Sequence, residues 1–147
     1  MSGALRLQLA PSRPLAALIV MAHASAAAAV YGLLGGTMGA LAAAAFVALG
    51  AAAARSRALL AAGSSVRAIE IGGPEPVFEL ANGARLAAPV AARRYVTRHV
   101  VALPLGGELR RTLLVTGDML GREEFRRLRL WALWNRLPGV APKQLAA

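Results

Sequence analysis

The chain contains no cysteine, which excludes disulfides, thiolate nucleophiles and cysteine-ligated zinc. Lysine is nearly absent too: of seventeen basic residues only Lys143 is not an arginine. Together with the abundance of alanine, that bias is the mark of a GC-rich bacterial genome. Acids number seven, and no two of them are spaced for acid–base work or for holding a metal. The glycine cluster Gly35-Gly36-Thr37-Met38-Gly39 lies in an apolar run with no basic phosphate ligand after it, so it is neither a P-loop nor a dinucleotide fingerprint. These absences leave no catalytic residue, cofactor site or metal site to assign. A non-enzymatic role is expected.

The remaining residues are unevenly divided. The 147-residue chain is 57% hydrophobic and yet carries a formal net charge of +10, with a mean hydropathy of +0.53. Its first 65 residues hold four arginines (Arg6, Arg13, Arg55 and Arg57) and no acid, whereas the last 82 hold thirteen basic and seven acidic residues, a net +6. An apolar first part and a charged second part read as a membrane anchor followed by a small soluble domain.

Leu15 to Leu34 is a twenty-residue stretch without a formal charge. As a helix it spans roughly 30 Å, the hydrocarbon thickness of a bilayer. Pro14 suits the first helical turn, and Gly35-Gly36 breaks the run. Thr37 to Ala54 gives eighteen more uncharged residues before Arg55 and Arg57. The expected organisation is an N-terminal segment over 1–14, a two-helix transmembrane hairpin over 15–54, a juxtamembrane linker over 55–65 and a sheet-plus-helix domain over 66–147. Arginines flank both outer ends of the hairpin and its turn has none, so the positive-inside rule puts both termini in the cytoplasm of a bacterial inner-membrane protein.

Two alternatives fit the same residues. Arg6, Arg13 and the apolar Leu15–Ala22 also make a signal peptide, with a mature terminus near Ser25 or Ala27. A soluble alanine-rich hairpin is the other, because Ala42–Ala45 and Ala51–Ala54 drive insertion only weakly. Gly36, Ala40 and Ala44 are spaced four apart, as are Gly39 and Ala43. Such rows let helix backbones approach closely in lipid, within one chain or in a homo-oligomer. His23 is the one titratable group deep in the first span; the simplest role for it is a neutral imidazole bonded to the neighbouring helix, against a proton or metal function.

Beyond Val66 the turn signals recur as for short antiparallel strands. Strands are expected at Val66–Ile71, at Val77–Ala81 and Ala84–Ala88 around a two-residue Asn82-Gly83 turn, at Arg94–Leu103, and at Leu109–Val115. A helix follows from about Leu120 to Arg136, with Glu123 and Glu124 in its first turn. The expected fold class is therefore a membrane helical hairpin followed by a small α+β domain, an antiparallel sheet of about five strands closed by a C-terminal helix. Phe125, Leu128 and Ala132 form the face that covers the sheet. Arg126, Arg127 and Arg129, with Trp131 and Trp134, read as a surface for an anionic membrane or a partner, the tryptophans packing either there or on the sheet. His99 reads as a half-buried structural histidine in a strand, and Asp118 as a turn or cap residue. The arginine dyads Arg93-Arg94, Arg110-Arg111 and Arg126-Arg127 are scattered, so a nucleic-acid interface is not expected.

One stretch is similar to a known family. Leu113-Leu114-Val115-Thr116-Gly117-Asp118-Met119-Leu120, followed by Arg122-Glu123-Glu124-Phe125-Arg126-Arg127-Leu128-Arg129, resembles the end of the YgfX (CptA) family of small proteobacterial inner-membrane proteins. Leu9, Pro11-Ser12-Arg13 and the intramembrane His23 resemble its start; Gly121 departs from it, standing where a helix-capping polar residue is usual. The resemblance implies the toxin-like component of a type IV toxin–antitoxin pair that acts on the tubulin-like and actin-like polymers of division and cell shape. It also implies a small soluble helical antitoxin-like partner, related to the factor that assists flavin attachment to succinate dehydrogenase. Without that role the same features describe a lipid-binding scaffold at the membrane surface.

Overall fold

The structure is a computed structural model that describes residues 4–92 and 94–134. It divides into two units, one formed by residues 10–65 and the other by the segments before and after them.

The first unit is a helical hairpin. Helix α1 (Arg13–Leu34) is started by Ser12, whose buried hydroxyl accepts the Leu15 N–H at 3.1 Å, and Pro14 sits in the first turn. Gly35 and Gly36 take positive φ of 58° and 54°, which ends α1 and starts α2 (Gly36–Ala53). The predicted 55–65 linker is in its first part a continuation of this helix. Ala54–Ala58 form a wide π-type turn in which the Leu59 N–H donates to the Ala54 carbonyl at 2.9 Å. The Ser12 N–H donates to the Ala58 carbonyl at 2.8 Å and ties the two open ends of the hairpin together.

Both helices are long and apolar enough to cross a membrane. Their large side chains point outward: Leu18, Met21, Leu33, Met38, Leu41 and Leu49 are each at least 60% exposed. Small residues point inward. A Cβ built on Gly50 would lie 2.6 Å from the Cβ of His23, so only glycine permits this crossing. Gly39, Ala43, Gly50 and Ala54 make the inner row, whereas Gly36, Ala40 and Ala44 are all exposed; of the two expected small-residue rows, only one seats the helices.

Among the described residues the second unit holds seven strands in two antiparallel sheets, where one sheet of about five strands was expected. The first sheet has the order β1 (Leu5–Gln8), β2 (Val66–Ile71), β3 (Val77–Leu80) and β4 (Arg85–Ala87). Strand β1 lies before the hairpin in sequence and pairs with β2, the strand that follows it, matching Leu7 to Ile69 and Arg6 to Glu70. The N-terminal segment 1–14 thus contributes a strand, and the unit is discontinuous in sequence. Alternation separates the two faces. Leu7, Ile69 and Phe78 lie in one register row and are fully buried. Arg6, Glu70, Glu79 and Arg85 lie on the other face, where Arg6 pairs with Glu79 at 2.8 Å and Arg85 pairs with Glu70.

The Asn82-Gly83 hairpin is present, but its loop has three residues. Leu80 and Ala84 close it, the Gly83 N–H donates to the Leu80 carbonyl at 2.9 Å, and the Ala84 N–H donates to Asn82 Oδ1 at 3.0 Å. Only Gly83 takes a positive φ, 86°, because the asparagine side chain already satisfies the turn; a type I turn with a glycine bulge results.

The predicted Arg94–Leu103 strand is two strands, β5 (Tyr95–Val96) and β6 (Val100–Pro104), joined by a turn. Thr97 makes that turn: its Oγ1 accepts the Val100 N–H at 2.9 Å and its own N–H donates to the Val100 carbonyl at 2.8 Å. His99 is therefore exposed at a loop tip and not half-buried in a strand. Strand β7 (Thr112–Thr116) completes the second sheet in the order β5-β6-β7.

Helix α3 (Arg122–Trp134) packs on β5 and β6; the Arg136 end expected for it falls outside the described residues. Gly121 serves as its cap without a side chain, because Glu124 Oε2 accepts the Gly121 N–H at 3.0 Å, the reciprocal half of a capping box. Phe125, Leu128 and Ala132 are buried, as their spacing predicts, and Val101, Leu103, Val115 and Met119 complete the core from the second sheet and the turn before α3. Each large apolar side chain so buried contributes about 1.5–3 kcal/mol.

Candidate functional site

The expected interface residues fall in three places. Arg55 and Arg57 lie in the wide turn after α2, both exposed, at a helix C-terminus where positive charge is favoured. His23 is half-buried in the hairpin, with its Nδ1 2.8 Å from the carbonyl of Ile19. Its partner is thus its own helix, one turn back, and not the neighbouring one; α2 instead presents the bare backbone of Gly50 to the imidazole.

The other five residues lie on α3, and they do not form one surface. Arg126 and Arg127 are exposed and share one carboxylate: Glu123 Oε1 is 3.5 Å from Arg126 Nη1 and 3.1 Å from Arg127 Nε. Exposed pairs of this kind hold geometry and add little stability. Arg129 is only half-exposed, and its Nε is buried without a hydrogen-bond partner. The tryptophans separate. Trp134 is 71% exposed and Trp131 only 7%, because Trp131 shares the buried side of the helix with Leu128 and Ala132. Trp131 packs in the interior of its unit, and among the described residues the exposed apolar side chains at this end of α3 are Leu133 and Trp134.

Arg94 explains how Trp131 is held, and the sequence offered no sign of it. Its guanidinium lies 5.5 Å from the Trp131 ring centroid, within cation–π range. Arg94 Nε donates to the Ala91 carbonyl and Nη1 to the Ala132 carbonyl, both at 3.2 Å. Positive charge at a carbonyl of the last turn of α3 suits the helix dipole. Arg94 and Trp131 also line a cleft of about 300 Å³ together with the Gly72–Pro76 loop, and Glu75 is the one carboxylate there among the described residues. Among the described residues no group of histidines and acids is placed to hold a metal ion. Of the three arginine dyads, Arg126-Arg127 is partnered by Glu123, and Arg93 of the first lies outside the described residues. The chain matches no family model, no curated protein and no solved structure.

Proposed function

We propose that this chain is a bacterial inner-membrane protein, anchored by the α1–α2 hairpin with both termini in the cytoplasm, whose basic sheet unit binds a protein partner. The supporting observation is the pairing of β1 with β2. These strands flank the hairpin in sequence and belong to one folded unit, which supports placing both ends of the hairpin on the same side of the bilayer. Two spans satisfy that condition, and Arg6, Arg13, Arg55 and Arg57 favour the cytoplasmic side. The same pairing weighs against a cleaved signal peptide. Cutting near Ser25 or Ala27 removes β1 and with it Leu7, which is fully buried, and uncovers its register partner Ile69.

For the partner, the exposed face of α3 offers Arg126 and Arg127 beside the apolar end at Leu133 and Trp134, a combination suited to an acidic protein surface. The resemblance to the YgfX family makes that partner the small soluble antitoxin-like protein, with division and cell-shape polymers as the targets. A second reading, a scaffold lying on anionic lipid, draws on the same exposed Trp134 and Leu133 next to arginines.

Reporters fused to each end of the full chain test the topology: both termini cytoplasmic on an uncleaved protein is the expected result. A periplasmic C-terminus with a new N-terminus near Ser25 or Ala27 would overturn it. Trp134→Ala and Arg126→Glu then separate the partner readings. Loss of partner capture with unchanged liposome binding favours a protein partner, and the reverse favours lipid.

A further inference from the structure

We propose that the free edge of β7 is a self-association site, at which two copies of this chain pair antiparallel about a two-fold axis at Leu114 and join their three-stranded sheets into one. The Leu105 N–H donates to the Arg111 carbonyl and the Gly117 N–H to the His99 carbonyl, each at 2.8 Å. Both pairs continue the β6–β7 register in which Leu103 faces Leu113 and Val101 faces Val115. In an antiparallel ladder, residues that exchange bonds with the neighbour alternate with residues whose N–H and C=O point away. Arg111, Leu113, Val115 and Gly117 therefore bond toward β6, while the backbone groups of Thr112, Leu114 and Thr116 point to the open side. No other strand among the described residues pairs there.

The other three edges are guarded and this one is not. By the same alternation, β1 turns Arg6 outward and β4 turns Arg85 outward, while β5 is only two residues long. Charged residues on an edge oppose the addition of a further strand. Across Thr112–Thr116 there is no charge, no proline and no register shift.

The strand is also complementary to itself. Thr112-Leu113-Leu114-Val115-Thr116 reads nearly the same in both directions. Pairing centred on Leu114 sets Leu114 opposite Leu114 of the second copy and Thr112 opposite Thr116, both favourable cross-strand pairs. The uncharged row Tyr95, Ala102 and Leu114, in which Tyr95 is 67% exposed, then runs unbroken across the seam. A strand from another protein lacks this reciprocity.

Because the chain has no cysteine, one introduced thiol is unique. Opposed Cα atoms of a bonded antiparallel pair are about 5.5 Å apart, within disulfide reach. Two copies of residue 112 would be roughly 14 Å apart at the rise of a strand, out of reach. The full chain carrying Leu114→Cys, Thr112→Cys, Arg85→Cys or Thr112→Cys/Thr116→Cys is oxidised mildly in bacterial membranes and resolved without reductant. Leu114→Cys and the double variant are expected to give a disulfide-linked homodimer, roughly tenfold above either single control. Leu114→Cys remaining monomeric, linking to a different protein, or linking no more than Arg85→Cys would overturn the proposal. In detergent, Leu114→Lys is expected to convert a dimeric particle into a monomer with unchanged circular dichroism. A wild-type chain that is monomeric at every concentration overturns the proposal too. Should Leu114→Lys lose its sheet signal, the cysteine pattern alone decides.

Discussion

Along α1 and α2 the large apolar side chains face outward and the inner row is made of small residues such as Gly39, Ala43, Gly50 and Ala54, whereas in the sheet unit large apolar side chains face inward and charges face outward. Leu33 is 85% exposed and Phe78 not at all. Each pattern is stable in a different solvent. In water, burying Phe78, Ile69 and Leu7 is the driving force. In lipid, outward leucine loses nothing, and helices associate through the close packing that small residues allow. The same amino-acid types therefore do opposite jobs in two parts of one short chain, and substitutions should have opposite consequences in the two units.

The largest effect is expected from deleting residues 1–9. Without β1, Ile69 and Ile71 lose their register partners Leu7 and Leu5, and the sheet unit should no longer give a cooperative thermal transition while the hairpin stays membrane-bound. A deletion that leaves the transition within a few degrees would show that β1 is an accessory edge. Next comes Phe78→Ala, which should cost about 3–5 kcal/mol in denaturant unfolding of the sheet unit. Its counterpart in the hairpin, Phe46→Ala, should stay within about 0.5 kcal/mol, and equal losses would break the comparison. Gly50→Ala reverses the usual sense of a helix-favouring change. The added methyl meets His23, so a loss of about 1–3 kcal/mol is expected in detergent unfolding, while Gly32→Ala, with open space around it, should be neutral or stabilising. Smaller still is Glu124→Ala, which removes the bond to the Gly121 N–H and should lower stability by about 0.5–1 kcal/mol. Breaking the half-exposed Arg6–Glu79 pair with Glu79→Gln should change stability by less than about 1 kcal/mol and only at low salt.

The hairpin was legible because length, hydropathy and the Gly35-Gly36 break are local properties. Phe125, Leu128 and Ala132 were legible for the same reason, since helical periodicity alone marks a buried face. Strand β1 was not: Leu5-Arg6-Leu7-Gln8 is too short to stand out, and what makes it a strand is Val66–Ile71, some sixty positions along the chain. The turn inside Arg94–Leu103 was hidden because Thr97 has the composition of a strand and acts through its hydroxyl. Of the surface residues, the exposure of Arg126, Arg127 and Trp134 could be anticipated. Trp131 shares the side of Leu128 and Ala132, but the group that sits over its ring is Arg94, a residue 37 positions earlier that no local pattern marks.

The sequence by itself determined the division into an apolar, acid-free hairpin and a charged sheet-and-helix unit, the Gly35-Gly36 break between the two apolar helices, and the alternation that separates core from surface. These follow from covalent order and from periods of two and 3.6 residues, which need no distant partner. Only the tertiary structure decided that the sheet reaches across the hairpin to recruit β1, which small-residue row seats α2 on α1, which tryptophan is buried, and which edge is left unguarded. Each of those outcomes rests on groups remote in sequence meeting in space, where register and packing, rather than local propensity, carry the free energy.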